Sequence, residues 1–282
     1  MLIANPIYDV VFKYLMEDSR IAQTFISTII GEEVLEMHTV SQELTHEQVT
    51  IPESDGIPSA TIALCRLDFA ARIQTPAGEK KVAIELQKAK EVTDLMRFRR
   101  YIGLHYSGKG ETDSEYPPQI YCIYLLGYDA TLPPCPVLLI DPAVKNVATG
   151  ETLKVNNPFI NGLHHRSWIV QIKLLKPEYH NEMEQLLAVF DQSNHTEDFH
   201  ILNVREEDFP EKFRPIIRRL QMAQSTQDIR KVMHLEDEIV EEFRVRERNE
   251  EKLHEVIDEQ QRLIAEQAKR IAELERVAGQ KA

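Results

Sequence analysis

Apolar residues at helical spacing open the chain. Ile7, Val10, Val11, Tyr14, Leu15, Ile21, Ala22, Phe25, Ile26 and Ile29 recur near a 3.6-residue period, which predicts one helix over residues 6–30. Pro6 suits its first turn and Gly31 its stop. Residues 33–50 read as a strand entering a loop, and Pro52, Asp55, Gly56 and Pro58 mark a break. From residue 61 to 74 the period drops to two. Leu64, Arg66, Asp68, Ala70 and Arg72 share one face; Cys65, Leu67, Phe69, Ala71 and Ile73 share the other. The segment TPAGEK predicts a hairpin turn, and 81–88 a second, antiparallel strand. In that strand Val82, Ile84 and Leu86 point one way, and Ala83, Glu85 and Gln87 the other.

Further along, 91–106 reads as a helix closed by Gly108 and Gly110, and QIYCIYLLGYD (119–129) as a buried central strand. Residues 137–141 and 167–175 are further strands; 178–190 and 209–223 are helices. From about Gln227 there is no Pro, and no Gly before Gly279, so one long helix is expected. A heptad register sets Ile257, Ile264 and Ile271 at a, with Leu253, Gln260, Gln267 and Leu274 at d. That pattern predicts a coiled coil, with a single amphipathic helix packed on its own domain as the alternative. The expected fold class is α/β, divided into a domain at 1–200, a helical connector at 201–231 and a long C-terminal helix at 232–282. No repeat of domain-building length is present.

Composition narrows the class. The 282 residues are 43% hydrophobic and 28% charged, enough for one domain of about 200 residues plus an extra element, or for two small domains. No apolar run approaches the roughly 18 residues of a membrane helix. The start, MLIANPIYDVVFKYLMEDSR, lacks the pattern of a secretory signal. Cys65, Cys122 and Cys135 are odd in number and far apart, so neither a disulfide framework nor a Cys-based zinc site is expected. A cytoplasmic setting fits this usage best.

The net charge of −13 argues against nucleic acid as a partner, until its distribution is considered. Between Lys80 and Lys109 there are eight Lys/Arg against three Asp/Glu; from Val232 to Ala282 there are nine against fourteen.

That basic stretch borders the one constellation with chemical promise. Asp68 lies mid-strand in the hairpin, and Glu85 and Gln87, two apart, project from one face of its partner strand. Two carboxylates gathered among apolar strand positions repel each other and lose hydration. A hard cation such as Mg²⁺, which takes oxygen ligands, resolves that conflict. Lys88, Lys90, Arg97, Arg99 and Arg100 follow at once and suit phosphate contacts. Solvated polar residues on the outer face of a hairpin are the competing reading. His164 and His165 lack a carboxylate or Cys at ligand spacing, and His195 and His200 form no zinc motif. Cys65 is read as a structural thiol. Phosphate-loop, dinucleotide-loop and serine-hydrolase motifs are absent from the sequence.

The opening YDVVFKYLMED, the segment RLDFAARIQTPAGEKKVAIELQKAK and the continuation DLMRFRRY resemble the PD-(D/E)XK nuclease family transposase branch, the recombination-promoting nuclease group. The resemblance covers roughly residues 5–175. It implies a PD-(D/E)XK restriction-endonuclease-like core, a central mixed sheet flanked by helices, and metal-dependent hydrolysis of DNA phosphodiesters with Mg²⁺ or Mn²⁺. Asp68 and Glu85 would be the metal ligands. Gln87 takes the place of the usual Lys, orienting water or a metal ligand without adding charge. Lys88 or Lys90 is a candidate to supply that charge, and Lys88 requires a bulge or a strand end to do so. The fold also implies an acidic group on the first helix. Asp9, in the D-x-x-F-K motif, is preferred to Glu17, against a simple helix-dipole role. The resulting expectation is a cytoplasmic endonuclease that forms homo-oligomers through the C-terminal helix. The alternative is an inactive nuclease-like fold that binds DNA or protein, or a scaffold working through the coiled coil.

Overall fold

The computed structural model describes residues 1–39, 49–50, 61–62, 66–76, 78–89, 119–155, 157, 159–160, 163–176 and 180–238, with positions 241, 245, 249, 260–262, 264 and 267 beyond them. At 39, 49–50, 61–62, 66–68, 70, 81, 83 and 85–89 the description is of the backbone. The chain is mixed α/β and divides into two compact units, Met1–Met233 and His234–Ala282.

The predicted opening helix is two helices, α1 (Asp9–Met16) and α2 (Ser19–Ile30). Pro6 lies ahead of α1 because Asn5 holds residues 5–8 in a turn. Its side-chain oxygen accepts from the Ile7 amide at 3.1 Å and its carbonyl from the Tyr8 amide at 3.2 Å. The break between the helices is made by Asp18, whose carboxylate accepts from the Arg20 and Ile21 amides and caps α2. Gly31 ends α2 at φ +70°, a conformation that glycine adopts without a Cβ penalty. Asp18→Ala is expected to cost about 1 kcal/mol, read as a lower urea midpoint with an unchanged denaturant slope.

β1 (Leu2–Ala4) pairs with β12 (Ile201–Asn203). Two further small ladders join β3 (Val49–Thr50) to β4 (Thr61–Ile62), and β9 (Val144–Lys145) to β10 (Thr152–Leu153). The principal sheet has six strands, β2 (Glu33–Thr39), β5 (Arg66–Thr75), β6 (Gly78–Ala89), β7 (Gln119–Leu126), β11 (His165–Gln171) and β8 (Val137–Ile140), neighbours in that order. β5 and β6 form the expected antiparallel hairpin, with Thr75 opposite Gly78 at the turn. β6, β7 and β11 run parallel, and β2 and β8 are antiparallel to their neighbours. β7 is the central strand, buried along all but one position, as its apolar run predicts.

One core binds the helices to this sheet. Val11, Phe12 and Leu15 of α1 and Phe25, Ile26 and Ile29 of α2 pack with Phe69, Ile73, Val82, Ile84, Ile123 and Val170. Phe190, after the short helix α3 (Glu182–Leu187), enters the same core, as do Ile216, Ile217 and Leu220 of α4 (Arg214–Ser225). Segment 201–231, expected as a connector, thus supplies β12 and α4 to the first unit, with Leu202 and Phe213 fully buried. The predicted helix at 91–106 lies outside the described residues. In the second unit residues 234–238 and the described positions from 241 to 267 are all helical. Ile264, a heptad a position, is 65% exposed, and Gln260 and Gln267 are exposed with it.

Candidate functional site

The β5–β6 ladder sets the geometry. Phe69, Ala71, Ile73, Val82 and Ile84 are buried against the helices, so the residues alternating with them belong to the opposite face. On that face Asp68 is the direct cross-strand partner of Glu85, and Arg66 that of Gln87. Directly opposed residues have Cβ atoms about 4.5–5.5 Å apart. The parallel partner β7 continues the rows, with Cys122 beside Glu85 and Tyr124 beside Gln87. Cys122 is fully buried and Tyr124 partly so. Glu85 therefore adjoins an apolar central strand, with Asp68 one strand further out in the same row. Oxygen-only donors at such positions suit a hard cation.

The ladder between β6 and β7 runs from Val82 to Ala89 without a register shift. Lys88 accordingly sits on the alternate face from Gln87, with no bulge to bring it across. Lys90, Arg97, Arg99 and Arg100 lie outside the described residues. Arg72, on the Asp68 face, is held by Glu36 at 2.7 Å and by Glu79. The guanidinium hydrogen bond and charge hold the Glu36 carboxyl below its ordinary range.

Asp9 is the first residue of α1 and is buried, whereas Glu17 is exposed and 3.6 Å from Arg219 Nη2. His200 pairs its Nδ1 with Asp198 Oδ1 at 2.7 Å and lies 4.9 Å from the Tyr8 ring. His195 packs on Phe199. Burial, then the neighbouring His164, pushes the His165 imidazole below its ordinary value. Among the described residues, no three His, Cys, Asp or Glu side chains gather as metal ligands; the side chains at 68 and 85 are outside that description.

No family model, curated protein or solved structure matches the chain. Among the described residues no helix is long and apolar enough to cross a membrane.

A polar network on the helix-covered side of the sheet escaped sequence reasoning. Arg166 on β11 donates to Glu32 Oε1 at 3.0 Å and lies 3.1 Å from Asp141 Oδ1. Its guanidinium stands 5.0 Å from the Trp168 ring and 5.5 Å from that of Tyr121. Tyr121 donates its hydroxyl to Glu32, and Lys80 donates to Gln119. Burial pushes the Lys80 ammonium below its ordinary value and the Tyr121 phenol above its own. Nothing periodic marks these positions, because each partner is remote in sequence.

Two outcomes follow from this network. Arg166→Met leaves Glu32 without its cation in a half-buried setting and is expected to cost about 1–3 kcal/mol. Adding Glu32→Gln should recover part of that loss in a double-mutant cycle. Lys80 gives a pH dependence. Between its lowered value and the ordinary 10.5, the unfolded chain binds more protons at this group than the folded one. Its contribution to stability thus rises with pH through that window. The difference between wild type and Lys80→Met in urea midpoint should change with pH there and stay flat below it.

Proposed function

We propose that this chain is a metal-dependent DNA endonuclease with a PD-(D/E)XK-like core, in which Asp68 and Glu85 hold Mg²⁺ or Mn²⁺. The observation that carries this reading is the direct opposition of Asp68 and Glu85 across an antiparallel ladder, with Gln87 two residues on. The order of elements also supports it: two helices, an antiparallel hairpin, then a parallel strand beside the Glu-bearing one.

The chain's own residues divide the work. The Asp68 and Glu85 carboxylates would be the hard oxygen donors, and the buried β7 strand beside Glu85 limits competing solvation on that side. Gln87, an amide, can donate one hydrogen bond and accept another, which suits orienting an attacking water while adding no charge. Lys90, Arg97, Arg99 and Arg100 are proposed to hold the flanking phosphates, with Lys88 on the alternate strand face. Asp9, the acidic group the resemblance implies, belongs to α1 on the helix-covered face of the sheet, opposite the face that bears Asp68 and Glu85, and is given no role at this site. When bound, the metal supplies Lewis acidity, neutralising charge on the phosphate and lowering the pKa of water. The long C-terminal helix is proposed to join copies through a coiled coil, which the exposed Ile264 supports. Two sites in one assembly would serve the two strands of a duplex.

Incubation of supercoiled plasmid with the full chain tests the reading. Nicking is expected with Mg²⁺ or Mn²⁺ and not with EDTA. A chain that binds DNA or protein but never cuts with any divalent ion would instead be an interaction module on the same fold.

A further inference from the structure

Among the described residues, the exposed large apolar side chains are concentrated in one stretch. Seven of twelve lie between Leu139 and Leu163, including Val147 and Phe159. This stretch begins in β8, the last strand of the six-stranded sheet, which pairs with β11 on one side only among the described residues. Leu139 is 48% and Ile140 52% exposed. Successive strand residues point to opposite faces, so both faces of β8 are open at its Leu139–Ile140 end, while Val137 packs on the core. A partner lying on one face of the sheet would cover only one of them, whereas a strand added alongside covers both.

We propose that β8 is a self-association edge, where the β8 strands of two copies pair antiparallel about a twofold axis. The segment VLLI is apolar throughout. With the axis between Leu138 and Leu139, Val137 meets Ile140 of the second copy and Leu138 meets its Leu139, so every cross-strand pair is apolar. Pro136 and Pro142 bound the strand and limit the pairing to its length. Usual edge protection, a Lys or Pro within the strand, is missing. Charge selects a second copy as the occupant. The chain carries −13, so two copies repel overall, but residues 137–163 hold Asp141 and Glu151 against Lys145 and Lys154 and are neutral overall. A stretch without net charge is where two such copies approach with the least repulsion. This interface is separate from the C-terminal arm and does not depend on nuclease activity.

The test uses the full chain, by sedimentation velocity and hydrogen–deuterium exchange. Ile257→Lys, Ile264→Lys and Ile271→Lys together replace every a position of the arm's apolar seam with a charge. This variant is expected to dimerise still, with slower exchange of the 137–140 amides that do not bond β11 as concentration rises. Adding Leu139→Lys, at a half-exposed position, should weaken dimerisation about tenfold or more and abolish that protection. Leu139→Ile should leave both intact. The proposal is overturned if those amides exchange as freely as loop amides in wild type at the highest concentration, or if Leu139→Lys leaves dimerisation and protection unchanged.

Discussion

Asp68→Asn is expected to lower metal-dependent nicking by at least about a hundredfold, because the lost carboxylate is one of two proposed ligands. The same substitution should have the opposite effect on folding. Asp68 faces Glu85 directly across the ladder, and like charges so placed are destabilising by roughly 0.2–1 kcal/mol. In EDTA, Asp68→Asn is therefore expected to unfold at a slightly higher urea concentration than wild type. With Mg²⁺ added the order should reverse, since only wild type gains stability from the ion. A pair of merely solvated surface acids predicts neither the crossing nor the loss of nicking. Circular dichroism in EDTA checks that the variant keeps its fold.

Phe190→Ala carries the largest expected cost to stability, about 3–5 kcal/mol. Phe12, Phe25 and Phe190 are fully buried and form a triangle, with ring centroids 5.9, 6.1 and 6.1 Å apart. Phe12 comes from α1, Phe25 from α2 and Phe190 from beyond α3, so the triangle ties the helical layer to a segment more than 160 residues away. Truncation at its remote corner leaves a cavity that two helices and the sheet cannot all close. Loss of a third or more of a typical domain's stability would follow. A urea titration at neutral pH reads this directly, and Leu187→Met on the neighbouring helix should cost far less.

The hairpin was legible because its information is local. Alternation over 66–75 and 78–89, with a glycine at φ +109° in the turn, specifies both strands, their register and the face bearing Asp68 and Glu85. The central strand was legible from its continuous apolar run. The division of the opening helix was less so, since the apolar period continues through residues 9–30 while Asp18 stops the backbone by capping. That Asp-Ser pair is the only local sign of the break. The parallel alignment of β6, β7 and β11, and the placing of β8 at the edge, depend on pairings across intervening chain. Periodicity carries no information on those. The Glu32–Arg166–Tyr121 network is hidden for the same reason: its members are separated by 45 to 134 residues. Of the candidate site, the opposition of Asp68 and Glu85 could be read from spacing, whereas the burial of Cys122 beside it depends on the whole sheet.

Diffraction from crystals soaked in Mn²⁺, recorded at the manganese absorption edge, addresses the metal site most directly. An anomalous peak coordinated by the carboxylates of Asp68 and Glu85 is the result expected, and it should vanish in Asp68→Asn crystals treated alike. Contradiction would come from wild-type crystals at saturating Mn²⁺ that show no peak there, with the two carboxylates turned away from each other.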